Sequence, residues 1–131
     1  ILNEGPPERS TQPEFVMLFP SPTANLGSPL LVADQLVQIP EKSWFQFDEQ
    51  QGTEKLWLVF SSDAVPELEA VKEFVTPTRR GLITDPARSQ AVHNLLSTQS
   101  AQNTTAEKGD TQTTLKSPGK LLVYAVKLEH H

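Results

Sequence analysis

The chain has 131 residues, a formal net charge of -5, 37% hydrophobic residues and no cysteine. That length suits one domain with a single core. The mixed charge opposes nonspecific nucleic-acid binding, which needs clustered cations, and without cysteine there are neither disulfides nor thiolate metal sites.

Residues 3–14 (NEGPPERSTQPE) are rich in proline and lack periodicity, so they read as a loop. Phe15–Phe19 is a short apolar run halted by Pro20, which predicts a buried strand. A second loop carries Pro20, Pro22, Gly27 and Pro29, and Leu30–Ile39 then reads as a strand ended by Pro40.

The clearest local pattern is a hairpin joining Trp44–Asp48 to Lys55–Phe60 through a polar loop with Gly52. Side chains alternate between the two faces of a strand. Pairing Phe47 with Leu56 would put Phe45, Phe47, Leu56, Leu58 and Phe60 on the core side. The opposite face would then carry Trp44, Gln46, Asp48, Lys55, Trp57 and Val59.

A helix is expected from Pro66, with Glu67 and Glu69 in its first turn and Leu68, Val71, Phe74 and Val75 as an apolar stripe. A second helix should start at Asp85-Pro86 and turn Ala91, Val92, Leu95 and Leu96 inward. Residues 97–119 are dominated by Ser, Thr, Gln, Asn and Lys without a pattern, predicting a flexible loop. Lys120–Leu128 closes the chain as a well-buried strand paired with the earlier ones. The expected fold is α+β: a mixed, mostly antiparallel sheet packed with two helices inserted before the last strand, in a single β-rich accessory domain over 1–131. Ile1-Leu2-Asn3 reads as the interior of a longer protein, and His130-His131 as native or as part of a purification tag. No apolar run reaches the length of a membrane span, so no membrane insertion by this segment is expected.

Leu18-Phe19-Pro20, Ile39-Pro40, Phe45–Asp48, Gly52-Thr53-Glu54 and the strand into Ser61-Ser62 follow one another in a distinctive order. This order resembles the bacterial domain-of-unknown-function family numbered 4384, over about residues 15–75. The resemblance implies a noncatalytic accessory module of a larger bacterial protein, of the kind attached to kinases, caspase-like peptidases or envelope proteins. The family usually begins with one more strand, of which Ile1-Leu2 would be the end. The matching positions terminate strands, form a turn or fill the core, so no functional residue carries over.

Candidate chemistry is sparse. His93 is the one histidine away from the terminal pair, and no Gly-x-Ser-x-Gly elbow accompanies it. Asp48, Glu49 and Glu54 could form a carboxylate pair or a calcium site, but their spacing does not match an EF-hand loop. Phosphate-binding and dinucleotide-binding glycine patterns are missing, and Asn103-Thr104-Thr105 is a glycosylation sequon of a kind common by chance. No cofactor or metal is expected. Trp44, Gln46, Asp48, Lys55 and Trp57 mix large aromatics with polar groups, as binding surfaces do, unless a helix covers both tryptophans as a second core. The leading expectation is therefore a noncatalytic interaction or sensory module whose partner is another protein or another domain of the parent chain. The alternatives are a carbohydrate-binding domain of the cell envelope, stacking sugars on Trp44 and Trp57, and a small hydrolase using the acids or His93.

Overall fold

A computed structural model describes residues 1–7, 11–42, 44–46, 49, 51–100 and 104–130. Its main element is a four-stranded antiparallel sheet. The strands are β1 (Leu2–Glu4), β2 (Phe15–Met17), β3 (Gly52–Ser61) and, at the end of the chain, β6 (Leu121–His130), in the spatial order β2-β1-β3-β6. Between β3 and β6 lie α1 (Pro66–Glu69), a 3-10 turn at Lys72–Phe74, α2 (Pro86–Ser100) and a small hairpin of β4 (Thr105–Lys108) and β5 (Thr113–Lys116). The fold is α+β and β-rich, as the sequence predicts.

The expected partner of β3 is replaced. Lys55, Leu56 and Trp57 face Glu4, Asn3 and Leu2 of β1 on one side, and Lys127, Val126 and Ala125 of β6 on the other. The backbone groups of Lys55–Trp57 are thereby used on both sides, so residues 44–46 do not take the expected place beside them. Trp44, Phe45 and Gln46 lie in irregular chain, and the proposed Phe47 and Asp48 pairings fall outside the described residues. Two of the residues read as a loop, Asn3 and Glu4, belong to a central strand. Leu30–Ile39 forms no strand. Instead the Asn25 side chain donates to the carbonyls of Ser28 and Leu30 at 2.9 and 3.0 Å, and the Asn25 amide donates to Glu41 Oε1 at 2.8 Å.

The sheet's two faces differ from expectation. Register places Leu2, Met17, Trp57, Val59, Val123 and Ala125 on one face. This face is buried, and with Phe15, Val71, Phe74, Ile83, Val92 and Leu96 it makes the core. Asn3, Leu56, Leu58, Phe60, Leu122, Tyr124 and Val126 share the opposite face. None of them belongs to the core, all of them keep partial exposure, and Phe60 is 47% exposed. The predicted core side of β3 is thus its half-open side, and the predicted surface carries Trp57 inward. β3 is apolar on both faces, so its alternation cannot choose between them. The choice falls to Leu2 and Val123, on strands remote in sequence.

The helices obey their local signals. Asp85 caps α2: its Oδ1 accepts from the amides of Ala87 and Arg88 at 2.9 and 3.1 Å. Val92 and Leu96 are buried on the inner side one turn apart, and the Ser89 hydroxyl donates to the Pro13 carbonyl at 2.5 Å. The expected first helix is shorter than its apolar stripe. The Val71 amide turns to the Leu68 carbonyl, and the chain tightens into 3-10 geometry that still buries Val71 and Phe74. β-Branched Val71 and Val75 and the approach to Pro77 disfavour further α-helix.

Residues 97–119, expected to be a flexible loop, carry the last turn of α2 and the β4–β5 hairpin. That hairpin stands as a separate two-stranded sheet, with Leu115 its only partly buried residue. Two strands without an apolar face are marginally stable in water. The amides of 105–116 should therefore exchange with solvent far faster than those of Leu56–Val59, and equal protection in a hydrogen-exchange experiment would contradict this.

Candidate functional site

The residues proposed from sequence as one surface are not brought together as such. Trp44 is 91% exposed, Gln46 is exposed, and Asp48 lies outside the described residues. Lys55 and Trp57 do share a face of β3, but it is the helix-covered one, and Trp57 is buried. The two tryptophans therefore do not form a pair of stacking platforms.

Trp57 instead completes a polar cluster around Glu4. Its indole N–H donates to Glu4 Oε2 at 2.7 Å, and Lys55 Nζ lies 3.8 Å from the same oxygen. The Lys55 ammonium also sits over the Trp57 ring, 5.8 Å from its centre. On the other side of the carboxylate, His93 Nδ1 is 3.9 Å from Glu4 Oε1. The Glu4 side chain is only 12% exposed, so these groups replace much of its hydration. A hydrogen bond to an ionised group contributes roughly 1.5–3 kcal/mol, which makes the Trp57–Glu4 bond a strong tie between β3 and β1.

The same cluster lines up Ser97, His93 and Glu4. Ser97 Oγ is 3.5 Å from His93 Nε2, because residues four apart on α2 share a face. The order of groups is that of a hydrolytic triad, but the geometry is not. The His93–Glu4 separation exceeds a hydrogen bond. Ser97 lies within the helix, where neighbouring amides serve the helix itself rather than a developing oxyanion. The i, i+4 spacing of His93 and Ser97 is visible in the sequence. Glu4 carries no such signal, because it reaches the site only through the pairing of β1 with β3.

On the sheet's far side Asn3 Nδ2 donates to Glu54 Oε2 at 2.9 Å, and Glu54 is buried. Glu54 is thus tied to β1, while Glu49 is exposed and Asp48 lies outside the described residues. Among the described residues no group of three or more His, Cys, Asp or Glu side chains could hold a metal ion, and no helix is long and apolar enough to cross a membrane.

The largest chemical anomaly is apolar. Leu26, Leu30, Leu31, Val32, Leu36 and Trp44 are all exposed, Leu26 and Leu36 almost completely. They lie within one stretch of 19 residues whose described residues show no helix or strand after the short turn at Asn25–Gly27. With the half-open face of β3 and β6, they leave the domain with two apolar surfaces outside its core. Comparison of the chain with protein-family models, curated proteins and solved structures finds no match.

Proposed function

We propose that this domain is a noncatalytic interaction module of a larger bacterial protein, docking another protein or another domain of its parent chain through the half-open face of its sheet. The bacterial setting follows from the resemblance to the family numbered 4384. The docking role rests on one observation: Leu56, Leu58, Phe60, Leu122, Tyr124 and Val126 form a continuous apolar ladder on a face that contributes nothing to the core. Monomeric proteins seldom leave large contiguous apolar patches in water unless the patch is used. The polar cluster around Glu4 ties β1, β3 and α2 together, and holding those elements in place is the role its geometry supports.

An anilinonaphthalene sulfonate dye, added to the folded domain at roughly 1 µM, where weak association is negligible, tests the reading. The dye should brighten on the native protein, with near-UV circular dichroism intact. Tyr124→Asp should remove most of that signal without unfolding the domain. A native domain that leaves the dye dark would contradict the docking role.

A further inference from the structure

The two edges of the sheet are finished differently. β2 is sealed: the Met17 amide donates to the Gly81 carbonyl at 2.8 Å, and the Phe15 carbonyl accepts from the Ile83 amide at 3.0 Å. β6, the other outer strand, pairs only with β3 among the described residues. Which of its backbone groups face outward follows from one bond. The Ser62 amide donates to the Lys120 carbonyl at 3.0 Å, and these two residues continue the β3–β6 register. Bonded and non-bonded pairs alternate along an antiparallel ladder, so Leu122, Tyr124 and Val126 bond to β3, while Val123, Ala125 and Lys127 turn their amides and carbonyls away. Leu121 agrees with this alternation, because its carbonyl accepts from the Ser117 hydroxyl at 3.2 Å. Exposure marks where the edge opens: Val123 is buried, Ala125 half-buried and Lys127 exposed. Among the described residues nothing bonds to the outward amides and carbonyls of Ala125 and Lys127. Lys127 has a second unmet demand. It lies directly opposite Lys55, and like charges so placed repel. Lys55 has Glu4 at 3.8 Å, whereas no described acid pairs with Lys127.

We infer that the docking partner adds an extended strand to the outer edge of β6 at Ala125–Lys127, with apolar side chains beside Tyr124 and Val126 and an acid beside Lys127. The inference rests on reading the half-open face as the docking surface, and it says what docks there. Amides and carbonyls spaced along a strand edge are met in register only by another extended chain, which fixes the partner's conformation. Its side chains then alternate between the two faces of the sheet. Those next to Tyr124 and Val126 continue the apolar ladder across the new strand, and the one next to Lys127 falls on the opposite face. A lone lysine also guards an edge against indiscriminate pairing, so the same side chain would turn away strands that lack an acid.

Panning a random linear peptide library on the whole chain, then measuring the recovered peptides by fluorescence polarisation and amide exchange, tests the inference. The peptides should alternate apolar residues around an Asp or Glu. Binding should slow exchange at Ala125 and Lys127 by about tenfold or more, while Tyr124 and Val126, already bonded to β3, change little. Lys127→Pro removes an amide that serves no internal bond, so the fold should survive, as it does with prolines on sheet edges, while Kd rises about tenfold. Lys127→Glu leaves every backbone group in place. It should weaken the acidic peptides by a similar factor and favour peptides with Lys or Arg at that position. A library that yields no binder, or peptides whose Kd ignores both variants, overturns the inference. Self-association of the domain that Lys127→Pro abolishes also overturns it, since the occupant would then be a second β6. The dye experiment separates the two readings: a bright dye without edge binding would leave the docking face standing and remove only the added strand.

Discussion

Gly81→Ala should destabilise the domain by about 3–5 kcal/mol, a large share of the roughly 5–15 kcal/mol that holds an ordinary domain folded. Gly81 has φ +82°, a region that L-residues enter only with strain. The surroundings add a larger penalty. A Cβ at this position would overlap the Met17 carbonyl oxygen outright and lie 3.1 and 3.2 Å from the Met17 carbonyl carbon and amide nitrogen. All three are backbone atoms, so no side chain can swing aside. Nor is the site free to shift, because the Met17 amide donates to the Gly81 carbonyl and the Gly81 amide to the Phe74 carbonyl, both at 2.8 Å. Ile83 then donates to the Phe15 carbonyl at 3.0 Å, which extends the join between the 81–83 segment and β2. Forcing this join apart would open the core at Phe15, Met17 and Phe74, all buried. Gly119→Ala is the matched control: its nearest neighbour would be 4.0 Å away and its φ is unremarkable, so urea denaturation should find it within about 0.5 kcal/mol of the parent. A Gly81→Ala loss below about 1 kcal/mol would mean that the close approach of this segment to β2 is wrong.

How far such features can be read from sequence depends on how local their causes are. The α2 cap at Asp85 and its inward Val92 and Leu96 are legible, since the capping residue, Pro86 and the apolar spacing lie within three turns of one another. β6 is legible as a strand because no other conformation suits Leu121–Val126 so well, although its place at the sheet edge is not. The partner of β3 is hidden. Trp44–Asp48 is close in sequence and rich in aromatics, and local pairing is the economical guess. Leu2–Glu4 is too short and too polar to announce itself as the strand in the middle of the sheet. The same gap conceals the Glu4 cluster, whose members stand 51 and 38 residues apart along the chain at Glu4, Lys55 and His93. Trp57 could be singled out as important, but its role inverts: a residue suited to an exposed platform becomes a core side chain with its N–H on a carboxylate. The exposed 30–44 segment misleads in the opposite sense. Its composition asks for burial that the fold does not provide.

Everything proposed about function depends on which face of β3 the domain buries, and two neighbouring residues report on it. Trp57 is 6% exposed in the core, while Leu58 sits on the half-open face opposite Tyr124. Trp57→Ala should cost about 3–5 kcal/mol, because it leaves a large cavity. It also strips the largely shielded Glu4 carboxylate of its indole donor. Leu58→Ala should cost about 1 kcal/mol, because much of the side chain stays near water in the folded state. Urea denaturation of the two variants at low protein concentration, beside the parent chain, is the most direct measurement. A Trp57 loss exceeding the Leu58 loss by about 2 kcal/mol or more is the predicted result. A Leu58 loss equal to or greater than that of Trp57 would place the core on the ladder face and remove the docking surface altogether.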